Sequence, residues 1–269
     1  MKHILLFIFF INSFAAAQSH RFIYEYSYKP DSLKQDSIVK KLMRLNITKD
    51  FSEFLPEKKA KNDSVIMKNL EMKKNFDIEF SENDISTDSY TDLHSAETKV
   101  FAEIGIQQVA VKINELPQWN LQKETKKISG YNCQKANSFY KGRLWYAWFT
   151  NELPFQDGPY IFKGLPGLIV ELEDQTKSHH FILKGNHNST NNKINRFTMG
   201  KIVDLDESRF TKEWKKFKEN PVPVMTQMQN RGIIFSGDVN LTSSNKAEIE
   251  RIKKEIYSVN NAMLLQLYR

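Results

Sequence analysis

The stretch from Trp145 to Asp174, WYAWFTNELPFQDGPYIFKGLPGLIVELED, constrains the fold most. It reads as a strand, a stiffened connection, a tight bend and a second strand. Pro166 fixes φ at roughly −65° and Gly167 accepts a positive φ, so the pair suits the two central positions of a type II turn. Leu153-Pro154 and Gly158-Pro159 prevent a regular ladder between the strands, because proline has no amide to donate.

The rest of the chain is patterned mainly for strands. Phe22, Tyr24, Tyr26 and Tyr28 are interleaved with Ile23, Glu25 and Ser27; Met43, Leu45 and Ile47 alternate with polar residues, as do Phe76, Ile78 and Phe80, while Val109, Val111 and Ile113 alternate with Ala110, Lys112 and Asn114. The segments Ile128 to Tyr140 and Arg143 to Thr150 flank Lys141-Gly142, which predicts a two-residue primed hairpin turn. On the second of these strands Trp145 and Phe149 share one face, while Tyr146 and Trp148 share the other. Glu57 to Asn75 is lysine-rich and reads as a surface helix with Val65, Ile66, Asn69 and Leu70 inward. Glu82 to His94 lacks periodicity and reads as a loop. Asp206 caps a second helix, with Phe210, Trp214 and Phe217 at helical spacing and Asn220-Pro221 ending it. Ile249, Ile252 and Ile256 form a further stripe, and Met263 to Tyr268 is apolar. The fold class expected is α+β, a large curved antiparallel sheet with a few flanking helices.

Residues 1–17 have a basic start, an apolar run and Ala15-Ala16-Ala17, the pattern of a cleaved export signal. This predicts a mature domain over 18–269, periplasmic or at the cell surface, with no transmembrane segment. The net charge is +7, but 39 basic and 32 acidic residues are intermixed along the chain, which argues for solubility and against nucleic acid as partner. Cys133 is the single cysteine, so no internal disulfide forms, and a buried apolar role on a strand is expected for it.

Trp119, the run Ile128 to Ala136, Gly142-Arg143, Ala147 to Thr150, Pro154, Gly158 to Tyr160, Phe162, Gly164 to Ile169 and Asp174 together resemble the GLPGLI family. That resemblance implies an exported protein of unassigned function and supplies no catalytic residue.

The candidate sites divide by chemistry. Gly164-Leu165-Pro166-Gly167 matches neither phosphate-cradling fingerprint, so no nucleotide cofactor is expected. His179 and His180 are adjacent on a strand and point to opposite faces, so at most one can join His187 and Asp174, and no metal is expected. Glu171 and Glu173 share a face, as solvated strand carboxylates do. The aromatic group is the strongest positive feature. Gly130, Tyr131, Arg143, Trp145, Trp148, Phe149, Pro154, Gly158, Pro159, Phe162, Gly164, Leu165, Pro166, Gly167, Leu168 and Ile169 are the residues expected to frame a ring-lined groove. The function expected is a non-enzymatic carrier for an apolar or peptide-like ligand or an envelope protein. The alternatives are an envelope hydrolase using Asp157, Glu171 or His179, and an accessory partner of an outer-membrane transport assembly.

Overall fold

A computed structural model describes residues 19–30, 36–73, 88–104, 107–189, 196–198, 200–220 and 223. The expected export signal, the strand at 76–80 and the C-terminal apolar stripe lie outside them.

Twelve strands form one sheet in the order β12-β6-β5-β4-β3-β2-β1-β11-β10-β9-β8-β7. The strands are β1 (Ser19–Tyr28), β2 (Val39–Ile47), β3 (Phe51–Pro56), β4 (Asp88–Asp92), β5 (Thr98–Ile104), β6 (Gln107–Lys112), β7 (Asn120–Ile128), β8 (Tyr131–Tyr140), β9 (Arg143–Thr150), β10 (Leu168–Asp174), β11 (His179–Ser189) and β12 (Val203–Asp206). Neighbours are antiparallel except for β12 on β6. Among the described residues two helices flank the sheet, α1 (Glu57–Glu71) and α2 (Glu207–Glu219). The expected β-rich α+β class is borne out in this coarse sense.

Period-two alternation decides which face is packed. Phe22, Tyr24 and Tyr26 of β1 lie level with Leu45 and Met43 of β2 and with Leu183 and Phe181 of β11, and all are buried. The same inner face continues through Phe54, Val100 and Val111 on one side and Leu172, Ala147, Trp145 and Phe149 on the other. The sheet bends enough for Lys141, in the β8–β9 turn, to reach Glu207 at the start of α2 at 2.5 Å. The two wings thereby share one apolar core.

The Lys141-Gly142 turn is as predicted, with φ of 48° and 77° at its two residues, the signs a primed turn requires. A second such turn, Ser129-Gly130 (φ 49° and 92°), splits the single strand expected at Ile128 to Tyr140 into the β7–β8 hairpin. The Asp206 cap is also present, its carboxylate accepting the Arg209 amide at 2.7 Å.

Three expectations are corrected. Helix α1 turns Ala60 and Asp63 inward, leaving Val65 59% and Leu70 48% exposed. The Glu82 to His94 loop contains β4, whose residues are polar on both faces and so show no apolar alternation. The Pro166-Gly167 bend is not type II. The Gly167 amide donates to Leu165 O at 2.8 Å, closing a three-residue turn around Pro166, and Gly167 has φ 157°. Glycine is needed at 167 for space: an added Cβ would stand 2.1 Å from Thr150 O.

Candidate functional site

The Trp145 to Asp174 stretch fills the inner face. Tyr160, Ile161, Phe162 and Leu165 are buried against the sheet, with Phe162 4.4 Å from the Trp145 ring. Backbone groups in the connection find side-chain partners across the core: Tyr24 OH donates to Ile169 O at 2.7 Å, Ser89 Oγ to Tyr160 O at 2.6 Å and Trp119 Nε1 to Lys163 O at 2.8 Å. Gly158 is hemmed in by Phe162 O and Ile169. Pro154 and Pro159 lie in the irregular stretch between β9 and β10, while Leu168 and Ile169 open β10. The expected groove is therefore corrected. Trp145, Phe149 and Phe162 are ring-to-ring core, with no open surface to offer a ligand.

Arg143, expected to frame the groove, holds a structural network. It donates to Asp174 Oδ2, which also accepts from Thr176 Oγ1, while Asp174 Oδ1 accepts the His179 amide at 2.8 Å. Burial opposes the charge on Asp174, but the Thr176 hydroxyl, the His179 amide and Arg143 outweigh it and hold the carboxyl below its usual range. The His179 ring meets Tyr26 OH at 2.7 Å within a stack of Tyr26, Tyr28 and Phe181. Asp157 accepts the Gly158 amide at 2.8 Å beside Lys163. Glu171 is on the opposite face of the sheet, so Asp157, Glu171 and His179 do not converge. Cys133 is buried, as expected, and burial pushes its thiol up to about 11. Among the described residues no group of three or more His, Cys, Asp or Glu side chains is placed to hold a metal ion.

The outer face carries two polar regions. On β7 to β11 a row of side chains is fully paired. His180 Nε2 meets Glu171 Oε1 at 2.9 Å, and Lys126 Nζ donates to Glu171 Oε2 at 2.8 Å while lying 4.2 Å from the centre of the Trp148 ring. Lys135 reaches Glu124 and also lies over Tyr146 and Trp148. The His180 and Lys126 bonds hold the Glu171 carboxyl below its usual value against partial burial. At the end of this region, Gly130 shapes the β7–β8 turn and Tyr131 OH accepts from Asn186 Nδ2 at 2.7 Å.

The second region lies where α1 covers β2 to β4. Arg44 forms a two-point bridge to Glu57, at 2.7 and 2.9 Å. Lys59 Nζ is 2.7 Å from Asp63 Oδ2 and 3.5 Å from Asp88 Oδ2. Arg196 Nη1 donates to Asp88 Oδ2 at 2.8 Å while its guanidinium lies 3.8 Å from the centre of the Phe101 ring. Arg21 binds Asn46, which in turn donates to Glu53 at 3.0 Å. Burial pushes the Glu53 carboxyl up, offset in part by the Asn46 bond. Asp88 is 1% exposed, yet among the described residues its Oδ1 has no hydrogen-bond partner, and neither does Nη2 of Arg196.

Sequence reasoning found Trp148 and Glu171 but not the His180–Glu171 pair, which follows from the register that sets Glu173 opposite His180. It found none of Glu53, Lys59, Asp88 and Arg196. Arg196 and Asp88 are 108 residues apart, and no local spacing announces such a pair.

The family pattern described as "N-glycanase peptide, N-terminal domain" matches residues 57–208. This overturns the resemblance to the GLPGLI family and, with it, the reading of a non-enzymatic binding or carrier module of unassigned function. No curated protein matches the chain. Among solved structures, PNGF-II in space group P21 aligns with 18% identity and a TM-score of 0.51, covering 75% of this chain and 34% of that one. The same protein in space group C2 aligns with 19% identity, the same TM-score and the same coverage. At these identities the likeness speaks for the fold alone. The aligned region corresponds to about a third of PNGF-II.

Proposed function

The chain belongs to the N-glycanase peptide N-terminal domain family, and from that premise we propose that it serves the removal of N-linked glycans from proteins, as the part that engages the glycosylated substrate. The match over 57–208, which takes in α1 through β12, is the observation that carries this reading. The fold likeness to PNGF-II agrees with it.

Packing narrows the surface. The inner face is closed by Tyr160, Phe162 and Leu165, so a sugar must be met on the outer face. That face has the side chains that bind hydroxyl groups well: carboxylates and guanidinium groups with fixed planes, beside aromatic rings. Export guided by residues 1–17 belongs to the same proposal, since N-glycosylated proteins are met outside the cytoplasm. Mass spectrometry of the native protein should then find a chain beginning at Gln18.

The test is binding of one N-glycosylated protein before and after enzymatic removal of its glycans. The reading predicts at least about tenfold tighter binding to the glycosylated form, which corresponds to 1.4 kcal/mol. Equal affinity for the two forms, or no affinity for either, overturns it.

A further inference from the structure

We propose that the outer face beneath α1 is a recognition site for one neutral carbohydrate ring, with Asp88 and Arg196 as its hydroxyl contacts and α1 as its cover. The choice of carbohydrate rests on the glycan reading above. The choice of place does not.

The place follows from unmet hydrogen bonds. In the outer row on β7 to β11, Glu171 is satisfied by His180 and Lys126, and Lys135 by Glu124. The Asp88–Arg196 pair is different. One bond joins Arg196 Nη1 to Asp88 Oδ2, while the second oxygen and the second terminal nitrogen remain open. Both atoms are buried, and buried polar groups are as a rule satisfied. One open atom is an acceptor and the other a donor. A hydroxyl group satisfies both, accepting from Nη2 and donating to Oδ1.

The surroundings select against ions. Glu53, Glu57, Asp63 and Asp88 are interleaved with Arg21, Arg44, Lys59 and Arg196, so an anion meets carboxylates and a cation meets basic groups. A neutral polyol meets no such repulsion. Asn46 and Glu53, next along the face, offer further planar partners for a second hydroxyl.

The cover is held in a way that permits opening. Helix α1 buries only Ala60 and Asp63, and its ion-pair attachment to the sheet runs through Arg44–Glu57 and Lys59–Asp88. With little apolar burial beneath the helix, these two pairs carry much of its attachment, and their partly exposed members, Glu57 and Lys59, leave them open to screening by salt. Local opening of such an element costs far less than global unfolding.

The experiment is hydrogen exchange on the full chain with an asparagine-linked chitobiose glycopeptide and with the same peptide bare. The glycopeptide should slow exchange at residues 57–71 and 88–92, and the bare peptide should not. Asp88→Asn and Arg196→Lys should each weaken glycopeptide binding about tenfold or more, with thermal melting confirming that the variants fold. Glu171→Gln, in the outer row, should leave it unchanged. Glycopeptide protection over β9 and β10 with none at α1 and β4 would remove this site while leaving the glycan role in place. Undiminished binding by both Asp88 and Arg196 variants would do the same. Failure of the chain to bind either the glycopeptide or an intact N-glycosylated protein would remove the glycan role as well.

Discussion

The two faces of the sheet are built from alternate residues of the same strands, yet they are held by different forces. On the inner face, Phe22, Tyr24 and Tyr26 pack against Met43, Leu45, Phe181 and the Tyr160 to Leu165 connection, an interface of rings and branched chains. On the outer face, where α1 lies across β2 to β4, ion pairs and amide hydrogen bonds run beside a small apolar patch of Phe51, Leu55 and Ala60. Apolar burial is insensitive to salt and to mild pH change, whereas exposed and half-buried ion pairs respond to both. The inner face therefore fixes the shape. The outer face is where the molecule can change locally without losing its fold.

That contrast can be broken by substitutions on either side. The largest effect belongs to the core: Phe162→Ala removes a fully buried ring against Trp145 and Tyr140 and should cost about 3–5 kcal/mol in urea unfolding. A loss below about 1 kcal/mol would mean that the connection is not part of the core.

Arg143→Met comes next. It leaves Asp174 buried without its cation, and about 3 kcal/mol is expected, the low end for a broken buried pair because Arg143 is partly exposed. The pH dependence gives a second check. Asp174 titrates below its ordinary value in the folded protein, so its contribution is present above that ordinary value and is lost as pH falls through the folded one. The variant should lose less stability on acidification than the parent.

Glu53→Gln tests the outer face in the opposite sense. The folded-state carboxyl titrates above its ordinary value because it is buried, so the parent loses stability as pH rises through that range. The variant, always neutral, should be more stable than the parent at pH 7, and the difference should vanish near pH 4. A difference that does not change with pH would show that Glu53 stays charged.

Salt should separate the faces directly. Between 0.05 and 1 M sodium chloride (about 14 and 3 Å of screening length), exchange at 57–71 should accelerate while exchange at β1 and β11 stays unchanged. The smallest effect is at a surface pair: Lys99→Ala, which loses contacts to Asp204 and Glu97, should change stability by less than about 1 kcal/mol.

The same division governs what could be read from the sequence. The Lys141-Gly142 turn, the Asp206 cap and the alternation of β1, β2 and β6 are local steric and apolar signals, and they were legible residue by residue. The direction α1 faces was not. Its apolar residues Val65 and Leu70 point outward because the surface it covers is charged, a fact held by strands and loops elsewhere in the chain. β4 was hidden for a related reason, since Ser89 and Thr91 occupy inner positions where an apolar residue would have marked a strand. The crowding of rings near the central bend correctly located a structural centre. It did not distinguish a packed core from a groove, because the same side chains serve both. The Asp88–Arg196 pair depends on chain crossings that no spacing rule reaches.

The most direct test of a glycan-engaging outer face is hydrogen exchange of the whole chain mixed with an N-glycosylated protein, compared with the same protein stripped of its glycans. The proposal predicts glycan-dependent slowing foremost at α1 and β4, with exchange in β1 and β11 unaltered. Identical exchange in the two mixtures would contradict it.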